Sequence, residues 1–310
     1  MRLTTSTKHD YDMIMPLQTV STVHELRRAI ASARHGGKTL GFVPTMGALH
    51  EGHGSLIRRA ASECSFVIVS IFVNPLQFRP SEDFARYPRT REHDQALCAQ
   101  FGAQLIFAPT VEEMYGHASF AAGEMATSTY VEVPGISDIL EGLSRPGHFR
   151  GVSTVVAKLF HQVQPDKAYF GQKDAQQLAV IRQMVRDLHI PVVIVGCPTL
   201  REEDGLAMSS RNRYLTPEQR SHSTVLYHAL NEVKERVQDG ERDAEFLRVI
   251  MQGMLDDTPG CVRDYALLVD STTFKPLQRI EGDALVLIAA RFGNTRLIDN
   301  MHVTSEMKQA

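Results

Sequence analysis

Phe42-Val-Pro-Thr-Met-Gly-Ala-Leu-His-Glu-Gly-His-Gly-Ser-Leu56 decides how the rest of the chain is read. Leu40-Gly-Phe-Val is an apolar run that ends at Thr45 as a strand does, a turn containing Gly47 follows, and a helix runs from about Glu51 to Cys64. His50 and His53 open that helix three residues apart, so both imidazoles project from one face at its N-terminus. The free N–H groups and positive dipole end found there make a natural phosphate site, and two histidines add donors. Two plainer readings stand beside this one: a metal pair and a pair of structural histidines. The zinc-protease pattern His-Glu-x-x-His does not apply, because the residue after His53 is Gly54.

Outward from that segment, short apolar runs alternate with helical stretches. Ser65–Val73 is nearly all apolar, as a strand covered on both faces should be. Gln104–Ala108, Lys167–Phe170 and Val192–Val195 are further strands, and helices are expected at about Arg91–Phe101, Val152–Val163 and Ala175–Leu188. The alternation predicts an α/β fold, a Rossmann-like doubly wound parallel sheet that binds ligands beyond the carboxyl ends of its strands. After about Leu200 the pattern changes. Thr216-Pro-Glu-Gln starts a helix with Thr as N-cap, Leu226, Leu230, Val233 and Val237 mark its apolar face, and Gly240 ends it. Tyr265–Asp270, Leu285–Ala289 and Thr295–Asp299 are strands of a smaller sheet. The expected layout is an N-terminal extension (1–18, with Met13 or Met15 as alternative starts), a Rossmann-like domain (19–199), a smaller α+β C-terminal lid domain (200–300) and a tail (301–310). The domain boundary falls near Pro198–Arg201.

The chain has 310 residues, 33 Lys plus Arg against 36 Asp plus Glu, and a net charge of −3. With 43% hydrophobic and 22% charged residues it has the composition of a folded globular protein, not a disordered one. No basic excess exists to neutralise a polynucleotide backbone, so nucleic acid is not an expected partner. Phe66–Val73 and Ala284–Ala290 are the longest apolar stretches, far short of the ~20 residues of a membrane helix. The first residues lack the apolar core of a secretory signal. Cys64, Cys98, Cys197 and Cys261 are widely spaced with no Cys-x-x-Cys, which suits reduced thiols and a cytoplasmic location.

His-x-Gly-His in this setting resembles the HIGH motif of the nucleotidylyltransferase superfamily, which includes class I aminoacyl-tRNA synthetases. Further segments narrow the likeness: Phe72-Val-Asn-Pro-Leu-Gln-Phe with Tyr87-Pro-Arg-Thr, Arg145-Pro-Gly-His-Phe-Arg-Gly-Val-Ser-Thr-Val-Val-Ala-Lys, and Tyr169-Phe-Gly-Gln-Lys-Asp-Ala-Gln-Gln. Asp204-Gly-Leu-Ala-Met-Ser-Ser-Arg-Asn resembles a mobile KMSKS-type phosphate loop. Together with Pro44–His53, these segments resemble the pantoate–β-alanine ligase family from about Thr19 to Asp299.

That resemblance implies an ATP-dependent, AMP-forming condensation of pantoate with β-alanine through a pantoyl adenylate. It implies ATP binding by Met46, Gly47, Ala48, Leu49, His50, Glu51, Gly52 and His53, by Gly171, Gln172, Lys173 and Asp174, by Leu200, and by Met208, Ser209, Ser210 and Arg211. His50, His53, Lys173, Ser209 and Arg211 would act at the phosphates, His53 as the family's proton donor. Gln77 and Gln177 would hold pantoate, with Gln77 also bordering β-alanine. His148 and Arg150 would support the site. Mg²⁺ would accompany ATP, with Asp94 as the candidate carboxylate near it, and the working form would be a homodimer. Three positions depart from the family pattern: Gly54 replaces a usual Leu, Leu200 a usual Val, and Arg79 a usual Gly. Two other functions compete: a nucleotidylyltransferase that stops at the nucleotide product, and a silent nucleotide sensor. The paired glutamines speak against the first, and intact His50, His53, Lys173 and Arg211 against the second.

Overall fold

Alternation along each apolar run gives the central sheet two buried faces. A computed structural model describes residues 17–78, 83–116, 127 and 129–305. The first part of the chain runs β1 (Gln18–Val20), α1 (Val23–His35), β2 (Leu40–Thr45), α2 (Glu51–Glu63), β3 (Phe66–Ile71), α3 (Arg91–Gln100) and β4 (Leu105–Phe107). It continues through α4 (Val111–Tyr115), α5 (Glu141–Ser144), α6 (His148–Val163), β5 (Lys167–Gly171), α7 (Ala175–Asp187) and β6 (Val193–Cys197). The six strands form one sheet in the order β1-β4-β3-β2-β5-β6, and each neighbouring pair is parallel. On one face Leu40, Phe42, Phe66, Ile68, Phe107 and Phe170 join the core with residues of α1 and α6. On the other, Val43, Val67, Val69, Ile106 and Tyr169 meet α2. Each large side chain buried in this way contributes roughly 1.5–3 kcal/mol.

The strand order reverses between β2 and β5. From β2 the chain winds outward through β3 and β4; after α6 it returns to lay β5 on the other side of β2. The two strands pair at Gly41–Lys167 and Phe42–Ala168, near their amino ends, and their carboxyl ends lead into Met46 and Gln172. Such a switch point opens a crevice where a doubly wound sheet holds its ligand.

The second part consists of α8 (Pro217–His222), α9 (Val225–Gln238), α10 (Ala244–Asp256) and an antiparallel sheet of β7 (Cys261–Asp270), β8 (Asp283–Phe292) and β9 (Thr295–Thr304) in that order. Ala284, Val286, Ile288 and Ala290 of β8 face α9 and α10. Leu285 and Leu287 point the other way and join Val269 and Phe274 against Ile136, Ile139, Leu140, Ala175 and Ala179 of the first part. The two parts therefore share a core. They also share an ion pair: the Glu141 carboxylate accepts from Arg296 at 2.6 and 2.7 Å and from the Tyr265 hydroxyl at 2.8 Å.

Several sequence expectations need correction. The single helix expected from Thr216 to Gly240 is two. Its capping box of Thr216 and Gln219 with Pro217 at N1 is present, but Ser223 and Thr224 interrupt the helix, their hydroxyls donating to the carbonyls of Arg220 and Ser221. Hydroxyls that compete for backbone acceptors loosen a helix in this way. Gln18 starts β1 and does not belong to an extension, and β9 runs to Thr304, four residues into the expected tail. The remainder of the extension up to residue 16, including Met13 and Met15, lies outside the described residues, as does Arg79. Among the described residues no helix is long and apolar enough to cross a membrane, and all four cysteines are free thiols.

Candidate active site

The turn between β2 and α2 is set by backbone conformation and one buried carboxylate. Gly47 and Ala48 both have positive φ (80° and 50°), a left-handed pair that aims successive N–H groups one way. Asp94, 1% exposed on α3, receives them: Ala48 N–H donates to Oδ2 at 3.1 Å and Leu49 N–H to Oδ1 at 2.8 Å. The Thr90 hydroxyl donates to Oδ1 at 3.0 Å. The carboxylate expected near a metal thus also holds the turn. Among the described residues no group of three or more His, Cys, Asp or Glu side chains is placed to hold a metal ion.

His50 and His53 cap α2 reciprocally. Gly52 N–H donates to His50 Nδ1 at 3.1 Å, and His50 N–H donates to His53 Nδ1 at 3.3 Å. The ring centroids lie 4.2 Å apart. Because each Nδ1 is an acceptor, each proton resides on Nε2, and both rings present an N–H donor. Burial, then the charges of Lys173 and Arg213, lowers His50 to about 4; burial, then His50 and Lys173, lowers His53 to about 3. The pair is neutral at pH 7. That suits hydrogen-bond donation to phosphate.

Gly54 has a steric cause. A Cβ there would lie 2.3 Å from Cε2 of Phe101, whose ring fills the space above the first turn of α2. The Arg58 guanidinium covers the ring at 4.7 Å. The volume that a Leu would bring at position 54 is supplied here by Phe101.

Beyond β3, Asn74 caps the short 3₁₀ turn Pro75–Gln77. Asn74 is 1% exposed; its Oδ1 accepts from the Tyr115 hydroxyl at 2.7 Å, and its Nδ2 donates to Gln77 Oε1 at 3.2 Å. Gln77 Nε2 donates to Met46 Sδ at 2.9 Å, and its backbone carbonyl accepts from His148 Nδ1 at 2.9 Å and Arg145 Nη2 at 3.2 Å. Gln77 is thus fixed at both its side chain and its backbone. Asn74 and Arg145 belong to this network and were not singled out from sequence, although both lie within the quoted motifs.

The Gln172–Asp174 turn follows β5 directly. Ser209 begins a 3₁₀ segment, Ser210–Tyr214, and its hydroxyl oxygen accepts from the Arg211 N–H at 3.3 Å. The loop before it, which resembles a mobile phosphate loop, is tied at its base: Met208 N–H donates to Leu200 O, and Arg220 bridges Glu202 and Asp204.

One cavity of about 250 Å³ gathers most of the expected residues. Met46, His50, Gly52 and His53 line it from the turn, Gln77 from the segment after β3, and Gly171, Lys173, Asp174 and Gln177 from β5 and α7. Leu200 and Met208–Arg211 close its third side. A larger cavity of about 590 Å³ opens between the two parts of the chain and shares Lys173, Gln177, Ser209 and Arg211 with the first. Five of the residues expected to bind ATP stay out of both linings. Gly47, Ala48 and Leu49 are buried as the turn itself, Gln172 meets Asn300 through its carbonyl, and Glu51 is exposed beside Arg58. Arg150 pairs with Glu132 at 3.2 Å, away from the cavities.

A switch-point crevice in a parallel sheet, with paired histidines at a helix N-terminus facing a lysine turn and a Ser-Ser-Arg loop, defines a nucleotide-dependent enzyme of the His-x-Gly-His class. Within that class, residues 18–302 match the pantoate-β-alanine ligase family, and the chain belongs to it. It is 52% identical over 295 residues to the pantothenate synthetase of Pseudomonas putida, covering 95% of this chain and 100% of the relative. It is 54% identical over 286 residues to that of Chloroflexus aggregans (92% and 99%). Among solved structures, pantothenate synthetase from Thermus thermophilus superimposes with a TM-score of 0.84 at 50% identity, covering 92% of this chain and 99% of that one. The ligase from Francisella tularensis, complexed with β-γ ATP and β-alanine, gives 0.72 at 34% identity, covering 92% and 97%.

Proposed function

We propose that this enzyme joins pantoate to β-alanine at the expense of ATP, in two steps at the crevice between β2 and β5. A pantoate carboxylate oxygen bonds to the α-phosphorus as the bond to pyrophosphate breaks. The amine of β-alanine then bonds to the acyl carbon of the adenylate, and AMP leaves with the electrons of the C–O bond. Charge grows on phosphate oxygens in the first step, so preorganised donors and cations carry it. His50 and His53 supply Nε2–H donors, Lys173 and Arg211 supply cations, and Ser209 and Ser210 supply hydroxyls. Gln77 and Gln177 hold pantoate by amide hydrogen bonds, with Gln77 also bordering the amine. Mg²⁺ would accompany ATP and offset phosphate charge, with Asp94 the candidate carboxylate near it. The reading extends to a homodimer acting in the cytoplasm, both implied by the family.

The observation that carries this reading is the meeting of neutral paired histidines, Lys173 and two amide side chains in one cavity. The test is a product assay with each substrate withheld in turn. AMP release that requires both pantoate and β-alanine supports the reading; AMP release without β-alanine, or on nucleotide transfer to another acceptor, overturns it. Labelled pyrophosphate should exchange into ATP with pantoate alone, and exchange that needs β-alanine would refute the two-step order.

A further inference from the structure

Lys173 sits in a turn whose own segment gives it little support. Gln172–Asp174 is a single 3₁₀ turn, and Asp174, the residue before α7, makes no capping hydrogen bond with its side chain. Support comes instead from the far end of the chain. Asn300 on β9 spends both amide hydrogens on this turn, donating from Nδ2 to Gln172 O at 3.0 Å and to Lys173 O at 2.7 Å. The residue is 6% exposed. Its own placement is fixed in turn. Asn300 N–H donates to Asp299 Oδ1 at 2.8 Å, and the fully buried Asp299 carboxylate takes Arg201 Nη1 and Nη2 at 2.6 and 3.0 Å. Arg201 also donates to Asn300 O at 3.2 Å and to Gly205 O at 3.0 Å, and stacks over the Tyr227 ring at 4.9 Å. Gly205 has φ 90°, and a Cβ on it would fall 2.0 Å from Tyr227 Cδ1, so the loop crosses the ring at a point where no other residue fits.

We propose that Asn300 is a positioning residue for Lys173, and that the Asp299–Arg201 pair sets the Ser209–Arg211 loop in register with it. Arg201 begins the loop that leads to Ser209, Asp299 anchors Arg201, and the next residue on the same strand holds the lysine turn. A buried amide that satisfies two carbonyls fixes the backbone there, and with it the direction in which the Lys173 side chain leaves the turn. Asn300 also lines the larger cavity, but its side-chain amide is spent on the backbone of the lysine turn, so removing it acts on Lys173 through that backbone. A displacement of about 1 Å in a charged group that acts on the transition state is enough to cost a large factor in rate.

The inference rests on the ligase reading, and the experiment separates the two. Pantoate-dependent ATP–pyrophosphate exchange reports adenylation; pantothenate formation from pantoyl adenylate supplied directly reports the second step. For Asn300→Ala the exchange kcat should fall by about 10- to 100-fold, with the KM for pantoate and the second step within about threefold of the unsubstituted enzyme. In a Lys173→Ala background the same substitution should cost less than about twofold more, because a residue that acts through Lys173 has nothing left to position. Additive losses in the double variant, or equal losses in both half-reactions, would overturn the proposal. Asn300→Asp keeps the volume and removes the donors, and is read in the same way if Asn300→Ala does not fold. Failure of both to fold assigns Asn300 to stability and also overturns it. Absence of pantoate-dependent exchange in the unsubstituted enzyme, by contrast, defeats the ligase reading itself.

Discussion

The ring of Phe101 occupies the space where a side chain on Gly54 would begin, 2.3 Å from the position of its Cβ. Two residues that are 47 positions apart therefore share one volume at the first turn of the histidine-bearing helix. Gly54→Leu should destabilise the fold by about 1–3 kcal/mol through overpacking. Phe101→Ala should cost about 3–5 kcal/mol through the cavity it leaves. The double variant should lose clearly less than the sum, measured by urea unfolding. Additive losses would show that the two side chains do not compete for the same space.

Asp94 holds the left-handed turn between β2 and α2. Asp94→Ala leaves the N–H groups of Ala48 and Leu49 without their acceptor, so stability should fall by about 2–4 kcal/mol, the cost of unsatisfied buried donors once paired with a charge. ATP affinity should weaken alongside. An unchanged melting temperature would reverse this assignment.

Acid should destabilise the protein through the histidine cap. An exposed histidine titrates near 6.5, whereas His50 and His53 titrate near 4 and 3 in the folded chain. Between those values the unfolded chain binds more protons, so the stability is intact above about pH 6.5 and is lost as pH falls toward 3. The slope contributed is up to about 1.4 kcal/mol per pH unit for each histidine. His53→Asn should flatten the dependence of the denaturation midpoint between pH 4 and 6.5; an unaltered slope would mean that the pair is not the acid-sensitive element.

Gln177 and Lys173 should separate kinetically. Gln177→Ala removes a substrate hydrogen bond worth about 1–3 kcal/mol, so the pantoate KM should rise by about 5- to 150-fold with ATP binding nearly intact. Equal weakening of both substrates would make Gln177 a structural residue. Lys173→Ala should instead lower the adenylation rate by about 100-fold or more, equivalent to about 2.7 kcal/mol, with a smaller effect on ATP affinity and on the second step. Near-normal adenylation would remove Lys173 from the chemistry.

The parallel sheet is legible in the sequence because strands buried on both faces, such as Phe66–Ile71, are apolar at nearly every position. The helices α1 and α10 were missed although their signals are local: Thr22 and Glu25 form a capping box, and Leu247, Met251 and Leu255 recur every four residues. The histidine pair and the lysine turn were readable from motifs. The supports behind them were not. Asn300 reaches Lys173 across 127 positions and Arg296 reaches Glu141 across 155, and no periodicity encodes contacts between residues so far apart in the chain. The hold of Asp94 on the turn escaped the sequence for a related reason. A carboxylate in a sequence shows its charge but not its partners, and here the partners are backbone donors 45 and 46 residues upstream.

Leu285 and Leu287 place one side of β8 inside the first part of the molecule, while the other side serves the second. The boundary near residue 200 is accordingly a change of architecture and not a line along which the protein divides. A truncated form ending there would expose the surface that Leu285 and Leu287 cover and would lose the amide that steadies Lys173, so it should be recovered as a sticky, inactive fragment. Chimeras that exchange the C-terminal third between relatives should work only when residues 136–140 and 175–179 travel with it, which makes the inheritable unit larger than the visible one.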